Sequence, residues 1–126
     1  IRGEGTRGLA HEIRYIAFDR REVAEMLRAF GETRGIGVPD GRVVEVQKQG
    51  DGVRVTFEDD NARQATVELG VAEAVACMLG RCLERRYPVA QRFSKHVEVT
   101  GNALVLAMSG RAQAFAGSGG GLRQPS

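Results

Sequence analysis

The spacing of apolar residues switches between a strand-like and a helix-like period, and it does so in the same order in both halves of this chain. This repeated order is the feature that most constrains the fold. Alternating apolar and polar residues are typical of a half-buried strand, whereas apolar residues three and four positions apart are typical of a helix with one buried face. Each half of the chain shows an alternating run, a helical stripe and two further alternating runs. The sequence therefore predicts two strand, helix, strand, strand units, at about residues 11–58 and 62–108.

Local signals place the ends of the first helix. Asp19 is followed three residues later by Glu22, which is the spacing of an N-terminal capping box. Gly35 begins a connector rich in glycine, which predicts that the helix ends by that residue. The predicted buried stripe between these ends comprises Val23, Met26, Leu27 and Phe30.

Two hairpins and a second helix complete the pattern. Gly50-Asp51-Gly52 separates two alternating runs and predicts the first hairpin, and Gly101-Asn102 predicts the last one. Between the hairpins, a further strand precedes a second helix, which Pro88 closes. The buried stripe of that helix comprises Val71, Ala74, Val75, Met78, Leu79 and Cys82.

The two halves share short stretches of sequence. Val23-Ala24 and Met26-Leu27 recur in the second helix as Val75-Ala76 and Met78-Leu79, which predicts an internal duplication. The expected fold class is α+β, with an antiparallel or mixed sheet and two helices on one face. The other face is predicted to be open and to carry Val43, Glu45, Gln47, Arg54, Thr56, Glu58, Thr66, Glu68, His96 and Glu98.

Composition separates one domain from its two ends. Residues 1–10 show no periodicity, and residues 110–126 have the glycine-rich composition of a linker, so both are predicted to be flexible. Residues 11–109 are predicted to form a single domain. A chain of this length can bury a core without disulfides or a structural metal.

Cysteine use and hydropathy indicate the compartment. Cys77 and Cys82 lie five positions apart on the predicted second helix, roughly 7–8 Å along its axis, which is too far for a disulfide. Cys82 is predicted to be buried, and Cys77 to lie near the opposite face, partly covered. Because the two cysteines cannot pair in a disulfide, the sequence favours a reducing compartment, and we expect a cytoplasmic location. The longest apolar run, Val71 to Leu79, is too short to span a membrane, so no membrane partner is expected.

No residue pattern predicts a catalytic, cofactor-binding or metal-binding site. His11 and His96 are candidates for acid or base chemistry near neutral pH, but neither lies beside a recognisable nucleophile motif. Asp59-Asp60 and the two histidines lack the spacing of metal ligands. We therefore expect no catalytic residue, no cofactor and no metal.

The strongest positive signal is a basic strip that runs from Arg81 to His96. Basic side chains with aromatic neighbours, here Tyr87 and Phe93, can neutralise phosphates and stack on bases. The net charge of +2 is too small to indicate a nucleic-acid partner by itself. The candidate nucleic-acid-binding residues are Arg81, Arg85, Arg86, Arg92, Lys95 and His96.

These patterns predict three functions, in order. The first is a non-enzymatic binding or regulatory module that acts through protein–protein contacts, as a homodimer or on a larger protein partner. The alternative is a nucleic-acid-binding regulator that uses the basic strip. The third is a small enzyme in which His96 meets a carboxylate such as Glu45, Glu58 or Glu68.

Overall fold

The computed structural model describes residues 10–111, which form six strands and two helices. The sequence predicts that residues 1–10 and 110–126 are flexible. Of these, residues 1–9 and 112–126 lie outside the described residues, while Gly110 and Arg111 belong to the last strand. The elements are β1 (His11–Phe18), α1 (Arg20–Arg34), β2 (Arg42–Gln49), β3 (Gly52–Glu58), β4 (Gln64–Leu69), α2 (Val71–Arg85), β5 (Ser94–Thr100) and β6 (Ala103–Arg111).

The predicted α+β class is confirmed, but the strands form two antiparallel sheets and not the single sheet that the sequence predicts. Sheet 1 has the strand order β1-β6-β5, and sheet 2 has the order β2-β3-β4. Each sheet takes two strands from one half of the chain and the first strand from the other half. The sheets approach each other through β2 and β5, where the backbone N–H of Val46 donates to Asn102 Oδ1 at 3.2 Å. The halves are thus interlocked, while their origin by duplication stays a prediction.

One apolar core lies between the helices and the inner faces of both sheets. The central strands supply its sheet side, with β3 and β6 each presenting three fully buried apolar side chains. The helices supply the other side through most of the predicted stripe residues, of which Phe30, Val75 and Leu79 are partly buried. The prediction that Val71 is buried is wrong, because this first residue of α2 is 43% exposed. The principal core residues are Val23, Met26, Leu27, Val53, Val55, Phe57, Ala74, Met78, Leu104, Leu106 and Met108.

The ends of α1 follow the local sequence signals in part. Asp19 is the N-cap, and its carboxylate accepts from the backbone N–H of Glu22 at 2.9 Å. Gly35 follows the helix with φ +70°, which confirms the predicted end. The return half of the capping box is not formed, because the Glu22 carboxylate binds Arg81 on α2 instead.

The prediction for Val43 is wrong. The register between β2 and β3 shifts between Val43 and Glu45, which is a bulge. An extra residue in one strand moves the side chains before it to the other face. Val43 is therefore buried in the core, opposite Phe57, while Glu45 stays on the open face opposite Thr56.

Neither helix of residues 10–111 is long and apolar enough to cross a membrane.

Candidate functional site

The first residue of the predicted basic strip, Arg81, is committed to contacts within the protein. This residue lies on the face of α2 that packs against α1, and its side chain is only 6% exposed. Its guanidinium donates to Glu22 at 2.9 and 3.3 Å, to Glu84 at 2.9 Å, and to Glu25. Arg81 is therefore committed to carboxylates of the protein itself and presents no free donor fork to a phosphate.

The charged groups in this cluster shift one another's pKa values. The hydrogen bond and charge of Arg81 hold the pKa of the Glu22 carboxyl below its ordinary value, against an opposing effect of burial. The same hydrogen bonds, with Glu22 first, raise the pKa of Arg81. Tyr87 adds a hydroxyl donor to Glu22 at 3.3 Å. The cluster ties the start of α1 to the end of α2, an arrangement that the helix dipoles also favour.

Lys95 has a structural role as well. Its ammonium group donates to the backbone carbonyls of Ala90, Gln91 and Phe93, at 2.9, 2.9 and 2.8 Å. These three bonds use all the donors of a lysine. Lys95 thus holds the connector between α2 and β5 in place.

The other members of the strip lie on or near the surface, at the end of α2, in the connector and on β5. Arg85 lies 3.5 Å from Glu25 in an exposed ion pair. Arg86 follows α2 with φ +60°, and Arg92 borders a small cavity with Glu12 and Arg14. His96 is exposed on the open face of sheet 1, opposite Ala107 of β6. Nucleic-acid binding by these six residues remains a prediction.

The cysteines are both buried. Cys77 faces α1, with its Sγ 3.6 Å from the carbonyl oxygen of Met26. Burial raises the pKa of its thiol to about 12, and burial also raises the pKa of Cys82. The expectation that Cys77 lies near an opposite, partly covered face is wrong, because α1 packs against that side of α2.

The outer edge of β1 is an exposed strand edge. All eight of its residues pair with β6 in an unbroken register, and no described strand pairs with its other edge. Ile13 and Tyr15 lie on the open face of sheet 1 and are 56% and 61% exposed. Beside them on the same face, Val105 and Ala107 of β6 are apolar but only 5% and 4% exposed, so Ile13 and Tyr15 carry most of the exposed apolar surface. We call this surface the β1 edge.

The corresponding edge of sheet 2 differs in character. The outer strand β4 has six residues, and its open face carries Gln64, Thr66 and Glu68. Two of these side chains are satisfied by the neighbouring strand: Arg54 pairs with Glu68 at 3.2 Å, and Gln64 donates to Glu58 at 3.1 Å. Sheet 2 therefore presents a polar edge, while sheet 1 presents an apolar one.

We call the side chains of β1 on the open face its outer row, and those on the face toward the helices its inner row. The inner row begins with two charged residues. Glu12 and Arg14 form an ion pair of 2.9 Å with each other, and the Arg14 guanidinium lies 5.4 Å from the centroid of the Phe93 ring. Further along the strand, a cavity of about 470 Å³ extends from Tyr15 past Phe18 to Tyr87 and Pro88. The β1 edge therefore combines an apolar outer row with a pair of opposite charges on its inner row.

A second surface is basic. A cavity of about 590 Å³ lies beside the first half of α1 and the start of β2. Asp19 and Glu25 also border it, so its lining has an excess of positive charge. We call this surface the arginine cavity, and its basic residues are Arg20, Arg21, Arg28 and Arg42.

Within residues 10–111, no group of three or more histidine, cysteine or acidic side chains is placed to hold a metal ion. No protein-family model, curated protein or solved structure matches this chain.

Proposed function

We propose that this chain is a non-enzymatic protein-binding module that accepts an extended strand of a protein partner along the β1 edge. The observation that carries the proposal is the exposure of Ile13 and Tyr15 on a regular, eight-residue outer strand. Such a strand has a row of backbone donors and acceptors that a partner strand can pair with. Strand addition obtains affinity from those hydrogen bonds and specificity from alternate side chains.

The side chains of β1 define the chemistry of the partner. An added strand would place every second residue beside Ile13 and Tyr15, and these residues are expected to be apolar. The intervening residues would lie beside Glu12 and Arg14 and are expected to carry complementary charges. A strand that alternates apolar and charged residues fits this edge, whereas a uniformly polar strand does not.

Site-specific photocrosslinking tests the proposal. Tyr15 is replaced by the photoreactive analogue p-benzoylphenylalanine in cells of the source organism, and adducts are identified by mass spectrometry. The matched control carries the same analogue at Thr66, on the open face of β4. We expect protein adducts at position 15 and none at position 66.

Ile13→Lys provides the second arm of this test. Ile13 is more than half exposed, so the substitution leaves the core unchanged, but it places a charge in the apolar row. We expect it to remove the adducts at position 15. Equal adduct formation at positions 15 and 66, or adducts that persist with Ile13→Lys, would overturn the proposal.

A second candidate function is nucleic-acid binding, and the arginine cavity is the observation that favours it. Arg86 and Arg92 are exposed members of the basic strip, but Arg81 and Lys95 have partners in the protein. The test is titration of the chain with short DNA and RNA oligomers at low and moderate salt. Affinity that falls steeply with salt would support this function.

Two triple variants assign any such binding to a surface. Arg85→Ala/Arg86→Ala/Arg92→Ala removes arginines of the basic strip, and Arg20→Ala/Arg21→Ala/Arg42→Ala removes those of the arginine cavity. A selective loss with one triple variant assigns the binding surface. No binding at low salt rules out this candidate.

The enzyme hypothesis rests on His96 alone. Within residues 10–111, no hydrogen bond or ion pair joins His96 to a carboxylate, and Glu45, Glu58 and Glu68 belong to sheet 2. A non-enzymatic role remains our proposal.

A further inference from the structure

We infer that the strand bound at the β1 edge is β1 of a second copy of this chain, paired antiparallel about a two-fold axis through Ile13. The inference rests on the proposed function and names its partner. Pairing identical edges gives an isologous interface, in which each residue contact occurs twice. The dimer would contain a six-stranded sheet in the order β5-β6-β1-β1-β6-β5.

The two faces of the sheet restrict how two β1 strands can pair. Directly opposed residues of antiparallel strands point to the same face. An axis between residues 12 and 13, or between residues 13 and 14, would place Ile13 opposite a charged side chain of the partner's inner row. It would also join the helix-covered face of one copy to the open face of the other. An axis through a residue keeps both faces continuous.

The charges of Glu12 and Arg14 decide which of the axes that pass through a residue is most favourable. An axis through Arg14 or through Glu12 places that charge opposite its own copy, which is repulsive. An axis through Tyr15 places Arg14 opposite the partner's Ile16. An axis through Ile13 places Arg14 opposite the partner's Glu12 and Glu12 opposite the partner's Arg14. Charged residues on an edge strand usually prevent pairing, but in this register they complement each other.

The outer row also fits this axis. Ile13 lies opposite the partner's Ile13, and Tyr15 lies opposite the partner's His11, so the exposed apolar side chains are covered at the centre. The described residues that pair in this register are 10–16. Tyr87, which could obstruct a partner strand, stands beside Phe18, with ring centroids 6.3 Å apart, beyond the paired segment.

Cysteine crosslinking tests the register. Opposed residues of antiparallel strands have α-carbons about 4.5–5.5 Å apart, which a disulfide can bridge. We expect Ile13→Cys to form a covalent dimer of about twice the 13.6 kDa chain mass under mild oxidation. Arg14→Cys should not, because its two copies would lie roughly 8 Å apart. Tyr15→Cys should not form a covalent dimer either, because residue 15 lies further still from its copy. The wild-type chain is a suitable control, because its own cysteines, Cys77 and Cys82, are buried.

Charge reversal tests the inter-copy ion pairs. Glu12→Arg gives a strand with two positive charges, and Arg14→Glu gives one with two negative charges. Each variant alone should dimerise at least ten-fold more weakly than the wild-type chain. An equimolar mixture should form a heterodimer, although the ion pair within each strand stays broken. Light scattering measures the masses, and circular dichroism confirms that each variant is folded.

The outcomes separate this inference from the proposed function. A monomeric wild-type chain, crosslinking through Tyr15→Cys instead of Ile13→Cys, or unaltered dimers of both charge variants would overturn the second-copy inference. Photocrosslinked adducts of a different protein at position 15 would overturn it too, while leaving the proposed function intact. An absence of adducts at position 15 would remove both.

Discussion

Arg81 of α2 donates to both carboxylate oxygens of Glu22 on α1, through Nε at 2.9 Å and through Nη2 at 3.3 Å. This two-pronged contact joins residues from opposite halves of the chain. Because the Arg81 side chain is almost completely buried, the pair is screened little by solvent. Glu25 and Glu84 each accept a further hydrogen bond from the guanidinium, so the positive charge of Arg81 is compensated by carboxylates around it.

Removing the buried guanidinium should destabilise the fold. Arg81→Met keeps the aliphatic volume but leaves Glu22 without its partner, and we expect the free energy of unfolding to fall by about 3 kcal/mol. Arg85→Ala is the matched control, since its ion pair is exposed and should contribute less than about 1 kcal/mol. Urea unfolding measures both. Similar small losses from the two variants would contradict the role assigned to Arg81.

The same pair predicts how stability depends on pH. The folded-state pKa of Glu22 lies below its ordinary value of 4.5, mainly because Arg81 hydrogen-bonds the ionised carboxylate. Its contribution is fully present above the unfolded-state pKa and is lost as the pH falls through the folded-state pKa. Wild-type stability should therefore decrease below the ordinary carboxyl value, and Arg81→Met should lose less over that range. Urea midpoints across an acid pH series test this, with Glu68→Gln as an exposed control.

The native thiols should be unreactive. With the pKa of Cys77 raised to about 12, about one thiol in 10,000 is ionised at pH 8. Burial also raises the pKa of Cys82 and limits access to it. A chromogenic thiol reagent should label no cysteine in the folded chain at pH 8 and both after unfolding. Ile13→Cys should add one fast-reacting thiol in the monomer, and rapid labelling of the wild-type chain would contradict the buried placement.

The residues that follow the two helices should respond oppositely to substitution. Arg86 adopts φ +60°, which is unfavourable for a residue with a side chain, whereas Gly35 occupies the same conformation at no such cost. Arg86→Gly should raise stability by about 0.5–1 kcal/mol, and Gly35→Ala should lower it by about 1 kcal/mol. A β-carbon at Gly35 would meet nothing within 4 Å, so any loss there arises from the backbone. Thermal unfolding measures both changes, and a loss of stability in Arg86→Gly would contradict this account.

Features that depend on neighbouring residues could be predicted from the sequence. Asp19 caps α1 because its carboxylate reaches a backbone N–H only three residues away. The helical stripes and the alternating strands also follow from spacing along the chain. The bulge at Val43 was missed because it leaves the local alternation almost unchanged and shows only in the register with β3.

Contacts between distant residues could not be predicted in the same way. Arg81 belongs to a basic run in the sequence, but its partners Glu22 and Glu25 come from a helix at the other end of the chain. Cys77 was misplaced because helix periodicity shows which residues share a face but not what covers a second face. The tertiary packing of α1 on α2 decides both.

The sequence by itself determined the order of strands and helices, their approximate bounds and the α+β class, because these depend on local periodicity and capping. Only the tertiary structure decided the order of strands within the sheets. The spacing of apolar residues does not distinguish β1 from the other five strands. Only the pairing in the sheet shows that β1 is an outer strand, with one edge unpaired within residues 10–111. Exposure of Ile13 and Tyr15 follows from that pairing, because an outer strand has a neighbour on one side only.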